Sequence, residues 1–357
     1  MRSPKLLLPW DAWPEADRRA WEAAVRPGDV LEDGGPASHW APRTKRTILY
    51  DYRRWLGHLA INDPDQLTSA PMERIHPKSI HNYVETLDAS ISPAGTLNYV
   101  KHLYDAARVM GPERDWAWLG EIARRLEQRV VPTNKRPRMV SASRLFELGI
   151  ELMTKAGQAD DMVPRTRALL YRDGLIIALL AARPFRRRTF AVIEIGTSLV
   201  RVGDGYALVF APDETKNHRA VETTVPDVLV PYVESYLTAH RPNIFGAGSH
   251  QGLWASAKGQ PMTEEAIYER VCLHTRNAFG WSINPHLFRD CLATEIAIED
   301  PVNVRIAADM LGHISLETTE RYYIQAASLE IGRKHQAGIV AMRERLSEHR
   351  NPTNRKP

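Results

Sequence analysis

The longest apolar run in the chain is "GLIIALLAA", at residues 174–182. A membrane-spanning helix needs roughly 20 such residues, so this run reaches about half a span. It is therefore expected as a buried helix inside a protein core. At 357 residues the chain is too long for one ordinary core, and two domains plus tails are the expectation. Hydrophobic residues make up 43% and charged residues 25%, the balance of a globular protein and not of a disordered one. The amino terminus, "MRSPKLLLPWDAW", has only three leucines before a proline and an acidic residue, too few for a signal peptide. Two lone cysteines, Cys272 and Cys291, offer neither a disulfide framework nor a CxxC metal spacing. A reducing cytoplasm is the expected setting, with no membrane partner.

The pattern along the chain divides it. Residues 1–40 hold Trp10, Trp13, Trp21 and Trp40 among Pro, Gly and Asp, and read as an irregular arm with one short helix at "EADRRAWEAAV". Residues 41–130 read as a helical bundle. "TKRTILYDYRRWLGHLAI" places Ile48, Tyr52, Trp55, Leu56 and Leu59 on one face. "PKSIHNYVETL" gives a second helix and "WAWLGEIARRLEQRV" another. "SPAGTLNYVKHLYDAARVM" has Ser92 as N-cap and Pro93 at the first helical position. Residues 131–140, "VPTNKRPRMV", have two prolines with Lys135, Arg136 and Arg138. That is the composition of an exposed linker, and also of a basic strap along a phosphate backbone.

Residues 141–330 form the second domain. Helices lead into a short β region, with a hairpin in "LVRVGDGYALVF" turning at Asp204-Gly205 and a third strand at "AVETTVP". Helices then return, and residues 331–357 add one more helix and a basic tail. The fold class expected is α+β: mainly α-helix with a small antiparallel sheet.

Four short stretches can carry chemistry. In "INPHLFRD", Asn284 caps a helix that starts at Pro285 and sets His286 and Arg289 three apart on one face. A guanidinium near a helix amino terminus makes a phosphate site, although HxxR alone is commonly incidental. In "LGHISLETTERYY", Gly312 ends one helix and Ser315 caps the next, leaving His313 in the turn. "ARPFRRRTFAVI" packs Arg183, Arg186, Arg187 and Arg188 against the apolar helix, as a solvated basic face or as a source of one buried guanidinium. "DETKNHRAVETTVP" places Lys216 in a polar turn before a strand, an ordinary position for a lysine.

The order Arg…Lys…HxxR…LGH, with a tyrosine nine residues beyond the LGH histidine, resembles the tyrosine recombinase (phage integrase) family over roughly residues 43–330. The resemblance implies a helical core-binding domain followed by the family's catalytic domain, the fold of DNA breaking-rejoining enzymes. It assigns Arg186 to the first arginine box, with apolar residues at +4 and +7 (Phe190 and Ile193). Lys216 matches the β-hairpin lysine, His286 and Arg289 the HxxR box, His313 the LGH histidine, and Tyr322 the nucleophile, with Tyr323 beside it. There are departures: Pro184 stands where glycine is common, Thr189 where an acidic residue is usual, and Asp290 where histidine is frequent. Arg183 and Arg187 remain alternatives to Arg186.

What the resemblance implies is site-specific DNA recombination, with no metal or other cofactor. Two guanidiniums, from Arg186 and Arg289, would neutralise a scissile phosphate. Tyr322 would attack it with His286 in the proton role, His313 donating to a phosphate oxygen, and Lys216 protonating the departing 5′ oxygen. Double-stranded DNA is the implied partner, gripped by both domains. Lys135, Arg136 and Arg138 in the linker, and Lys45, Arg46 and Lys101 in the helical domain, are candidate phosphate contacts. These position a protein without reading sequence. A homo-tetramer on two DNA sites, accessory proteins as further partners, and a place at the nucleoid in the cytoplasm complete the expectation. Two other readings stay open: a type IB topoisomerase-like enzyme that cuts and reseals without exchange, and a DNA-binding accessory factor without catalysis.

Overall fold

The structure, a computed structural model, describes residues 7–131, 136–159, 161–212 and 220–299. These divide into two compact units, with the boundary between Thr133 and Asn134.

The first unit is all helical: α1 (Glu15–Val25), α2 (Pro42–Asn62), α3 (Pro77–Asp88), α4 (Pro93–Met110) and α5 (Ala117–Gln128). Proline opens three of them at a position where a missing N–H costs nothing. Ser92 accepts from Gly95 N at 3.3 Å, as its N-cap spacing predicts. The predicted face of α2 is buried throughout, with Trp55 and Leu56 fully enclosed.

The segment expected as an irregular arm contributes to this same core. Trp13 and Trp21 are buried against it, and Trp13 packs on the Tyr52 ring at 5.2 Å. Asp17, on α1, is wholly buried: it accepts from Tyr52 Oη at 2.6 Å and from Arg74 Nη1 at 2.7 Å. The other Arg74 donors go to the Ser69 and Leu67 carbonyls, so the guanidinium is paired on every side that burial closes. Tryptophans in Pro- and Gly-rich sequence carry no periodicity, which is why this packing is invisible before folding.

The second unit is built on α6 (Ala142–Gln158) and α7 (Pro164–Ala182). Residues 175–181 are all buried, as the apolar run requires. The two helices cross at Gly149 and Gly174, where a Cβ on Gly149 would meet the Gly174 carbonyl oxygen at 2.6 Å. Only paired glycines let the backbones approach so closely.

A short helix α8 (Arg187–Ala191) leads into strands β1 (Leu199–Val202), β2 (Gly205–Phe210) and β3 (Val221–Thr224), one antiparallel sheet in the order β1-β2-β3. The first hairpin turns at Gly203-Asp204, one residue earlier than the Asp204-Gly205 turn expected. Val202 pairs with Gly205, and Gly203 takes the positive φ of +57° that such a turn demands. Among the described residues, helices α9 (Val230–Ser235), α10 (Glu264–Phe279) and α11 (Pro285–Glu299) follow. Among the described residues no helix is long and apolar enough to cross a membrane. The helix and tail expected over 331–357 lie outside the described residues.

Candidate active site

The end of α7 delivers the arginine cluster. Arg183 closes the helix, its N–H donating to the Leu179 carbonyl. Its Nε donates to Thr223 Oγ1 at 3.2 Å, tying the end of α7 to β3, and burial pulls the Arg183 pKa below its ordinary value. Arg186 is the half-buried N-cap residue of α8, and its carbonyl accepts from Phe190 N at 2.9 Å. Arg187 pairs with Glu264 of α10 at 3.5 Å and lies over the Tyr268 ring at 5.4 Å. Arg188 is exposed. Two of the three alternatives thus reach toward different neighbours, Arg183 to the sheet and Arg187 to α10.

Phe190 and Ile193, the apolar residues at +4 and +7 from Arg186, are fully enclosed. Trp254 fixes Phe190: its indole N–H donates to the Phe190 carbonyl at 2.9 Å, and the two rings stack at 5.0 Å. Nothing in the spacing around Trp254 marks it as the clamp on α8. It comes from a segment more than sixty residues later, brought back when Leu253 N bonds to the Ile193 carbonyl.

Helix α11 brings the HxxR residues. Asn284 Oδ1 accepts from Leu287 N at 3.0 Å, which makes it the expected cap. His286 is exposed on the first turn, whereas Arg289 is buried. Arg289 Nη1 donates to the Pro184 carbonyl oxygen at 2.6 Å. The HxxR arginine therefore meets the first arginine box two residues before Arg186, across 105 residues of sequence. Thr189 and Asp290, two of the departures from the family pattern, are both buried close to these arginines in sequence.

The same unit holds a charge cluster that sequence reasoning missed. Asp173, within α7, is buried and accepts from Arg172 Nη2 at 2.6 Å, from Arg270 Nε at 2.7 Å, and contacts His274 Nε2 at 2.9 Å. Burial alone would raise its pKa, but the His274 hydrogen bond and the two guanidiniums outweigh that and hold it below the ordinary carboxylate range. Arg172 also donates to the Ala255 carbonyl, so α7, α10 and the 255 loop share one anion. The available signal was "YRDGL", two charges directly before the apolar run at 174–182.

Among the expected DNA contacts, Arg46 is exposed, Lys45 Nζ donates to the Ser38 carbonyl at 2.9 Å, and Lys101 pairs with Glu127 at 2.8 Å. Arg138 is exposed and donates to the Ser282 carbonyl at 2.8 Å. Lys135, Lys216, His313, Tyr322 and Tyr323 lie outside the described residues, as does the Arg136 side chain.

Residues 155–329 match the family described as "Phage integrase family". This match bears out the resemblance to the tyrosine recombinases. Similar curated proteins include the tyrosine recombinases XerD of Staphylococcus saprophyticus and Pseudomonas aeruginosa. The first is 26% identical over 153 residues, 43% of this chain and 50% of the relative; the second is 26% identical over 188 residues, 52% and 59% respectively. The chain spans about half the length of the curated relatives it matches. Among solved structures, the XerH site-specific recombinase bound to a palindromic difH substrate, a post-cleavage complex, aligns over 89% of this chain and 94% of its own. The TM-score is 0.54 at 13% identity, a likeness of fold.

Proposed function

We propose that this chain is a site-specific DNA recombinase that cuts and rejoins DNA through a 3′-phosphotyrosyl link, using neither metal nor ATP. The observation that carries the reading is the Arg289–Pro184 hydrogen bond, which brings the HxxR helix to the arginine cluster within a tyrosine recombinase fold.

A phosphodiester is an anion and repels a nucleophile. The guanidiniums of Arg186 and Arg289 offset that charge and favour the more negative transition state. The Tyr322 hydroxyl, which titrates near pH 10 in water (~10), loses its proton to His286 as its oxygen bonds to phosphorus. The bond from phosphorus to the 5′ oxygen breaks, and Lys216 supplies the proton that leaves with that oxygen. His313 donates to a non-bridging oxygen. The products are a 3′-phosphotyrosyl enzyme and a free 5′-hydroxyl. The covalent link retains the bond energy, so another strand's 5′-hydroxyl can reverse the step without an external energy source.

Both units grip the duplex in this reading. Lys45, Arg46 and Lys101 of the first unit and Lys135, Arg136 and Arg138 of the linker contact phosphates. Strand exchange takes two DNA sites and four copies of the chain, acting at the nucleoid in the cytoplasm.

The test uses a duplex selected by the native chain from a randomised library, nicked so that cleavage is trapped. Native protein and Tyr323→Phe should form a covalent adduct and Tyr322→Phe should not. Adduct surviving Tyr322→Phe would assign the nucleophile elsewhere. No adduct on any selected duplex would leave an accessory DNA-binding role, and relaxation of a plasmid lacking the selected sequence would point to a topoisomerase-like activity.

A further inference from the structure

The carboxylate of Glu295, late in α11, reaches the first turn of α6. It accepts hydrogen bonds from the backbone N–H groups of Ala142 and of Ser143, the latter at 3.1 Å. The first four N–H groups of a helix have no partner within it. Here Ser141 Oγ takes the one from Arg144 at 3.2 Å, and Glu295 takes two more. A carboxylate at this end also meets the positive pole of the α6 dipole. A glutamate on a different helix is thus a second cap for α6.

This contact is the last in a series that runs in one direction. Trp281 Nε1 donates to the Arg138 carbonyl at 3.1 Å, and Arg138 Nη2 donates to the Ser282 carbonyl at 2.8 Å. The buried Cys291 thiol lies against the Val140 backbone, and Glu295 then meets residues 142–143. The end of the basic linker is therefore laid along the helix that carries His286 and Arg289, fastened once before the HxxR motif and twice after it. Six residues separate Arg289 from Glu295, roughly 9 Å along the axis at about 1.5 Å per residue. At the other side of that interval, Arg289 donates to the Pro184 carbonyl.

We propose that Glu295 is a positioning residue for strand cleavage: by joining the start of α6, where the basic linker ends, to the HxxR helix, it sets where the Arg289 guanidinium meets the scissile phosphate. This inference rests on the recombinase reading above. Misplacing a catalytic group by about 1 Å can cost on the order of 100-fold in rate, so a small slide of α11 is enough.

The experiment uses the full chain on the selected, nicked duplex, in two chemical forms. One has an ordinary phosphodiester at the position the native adduct maps. The other has a methylphosphonate there, which lacks the anionic charge the arginines neutralise. Single-turnover adduct formation and duplex affinity are measured for native protein, E295A, E295Q and R289A. On the phosphodiester, E295A is expected to slow adduct formation by about 10- to 100-fold, with E295Q affected less because it keeps one acceptor oxygen. Duplex affinity stays unchanged. On the methylphosphonate, the gap between E295A and native protein closes, as it does for R289A. A general loosening of the fold would slow both substrates alike, so an E295A defect equal on both overturns the proposal, as does a native-like rate on the phosphodiester or loss of duplex binding. E295Q carries the same comparison if E295A does not fold, and failure of both to fold makes Glu295 a determinant of the fold and overturns its positioning role. Failures of the recombinase reading look different: no adduct from native protein removes both proposals, and an R289A defect that persists on the methylphosphonate removes charge neutralisation by Arg289.

Discussion

Arg289 and Pro184 are joined by a hydrogen bond of 2.6 Å, guanidinium to carbonyl, and both residues are buried. The bond spends one of the five Arg289 donors on protein backbone and fixes the plane of the guanidinium.

Arg289→Ala is expected to lower adduct formation by about 100- to 1,000-fold, the scale for removing one oxyanion donor, while gel-shift affinity for the selected duplex is largely retained. Arg289→Lys recovers only part of the loss. An ammonium carries the charge but cannot hold the Pro184 carbonyl and a phosphate in one planar fork. Loss of DNA binding in Arg289→Ala would make the residue structural.

Asp173→Ala leaves Arg172 buried without its carboxylate. Removing one partner of a buried pair costs about 3–5 kcal/mol, so the urea midpoint of the second unit's transition should fall by a clearly measurable amount at neutral pH. The pH dependence has a definite sign. The folded-state pKa of Asp173 lies below its ordinary value, so its contribution is present above the unfolded pKa of about 3.9 and disappears as pH falls through the folded value. Asp173→Asn should flatten that acid limb of a stability-against-pH curve. An unchanged limb assigns acid unfolding to other carboxylates.

In the first unit, Asp17→Ala deprives both Arg74 and Tyr52 of their partner and is expected to cost about 3–5 kcal/mol. Glu15→Ala, two residues away, removes an exposed pair with Arg19 and should leave the unfolding midpoint unchanged within error. Tryptophan fluorescence of the full chain during urea unfolding measures both. Equal effects from the two substitutions would show that α1 is not docked on the bundle.

His102 bonds to Asp51, which raises its pKa above the ordinary value; burial opposes this, and Asp105 adds to the rise. A raised folded pKa contributes stability that is full below the unfolded value of about 6.5 and is lost as pH climbs through the folded value. The thermal midpoint of the first unit should therefore decline on the neutral-to-alkaline side, and His102→Gln should reduce that decline. A decline of the same size in the variant would exclude His102 as its source.

Much of the architecture was legible because it rests on local rules. The apolar run at 174–182 could only be a buried helix, the amphipathic face of α2 could only turn inward, and Ser92, Asn284 and the prolines marked helix starts that the structure keeps. The hairpin was visible too, but its turn was placed one residue late because either of two glycines could supply the positive φ, and strand pairing chose Gly203. The motif order named the residues to examine, yet within the arginine cluster composition could not say which neighbour each guanidinium would find.

Contacts between residues far apart were decided by tertiary structure alone. Trp254 reaches back to Phe190, Arg289 to Pro184, Glu295 to the first turn of α6, and Asp17 to Arg74. Each pairs a group with a backbone or buried-charge partner that no period of 2 or 3.6 residues records. The sequence by itself determined which segments are helix or strand and the order of the chemical motifs, because those depend on neighbours a few residues away. Which arginine faces which partner, and what holds the HxxR helix in register, depended on desolvation: a buried donor must find an acceptor, and only the folded chain determines which one is within reach.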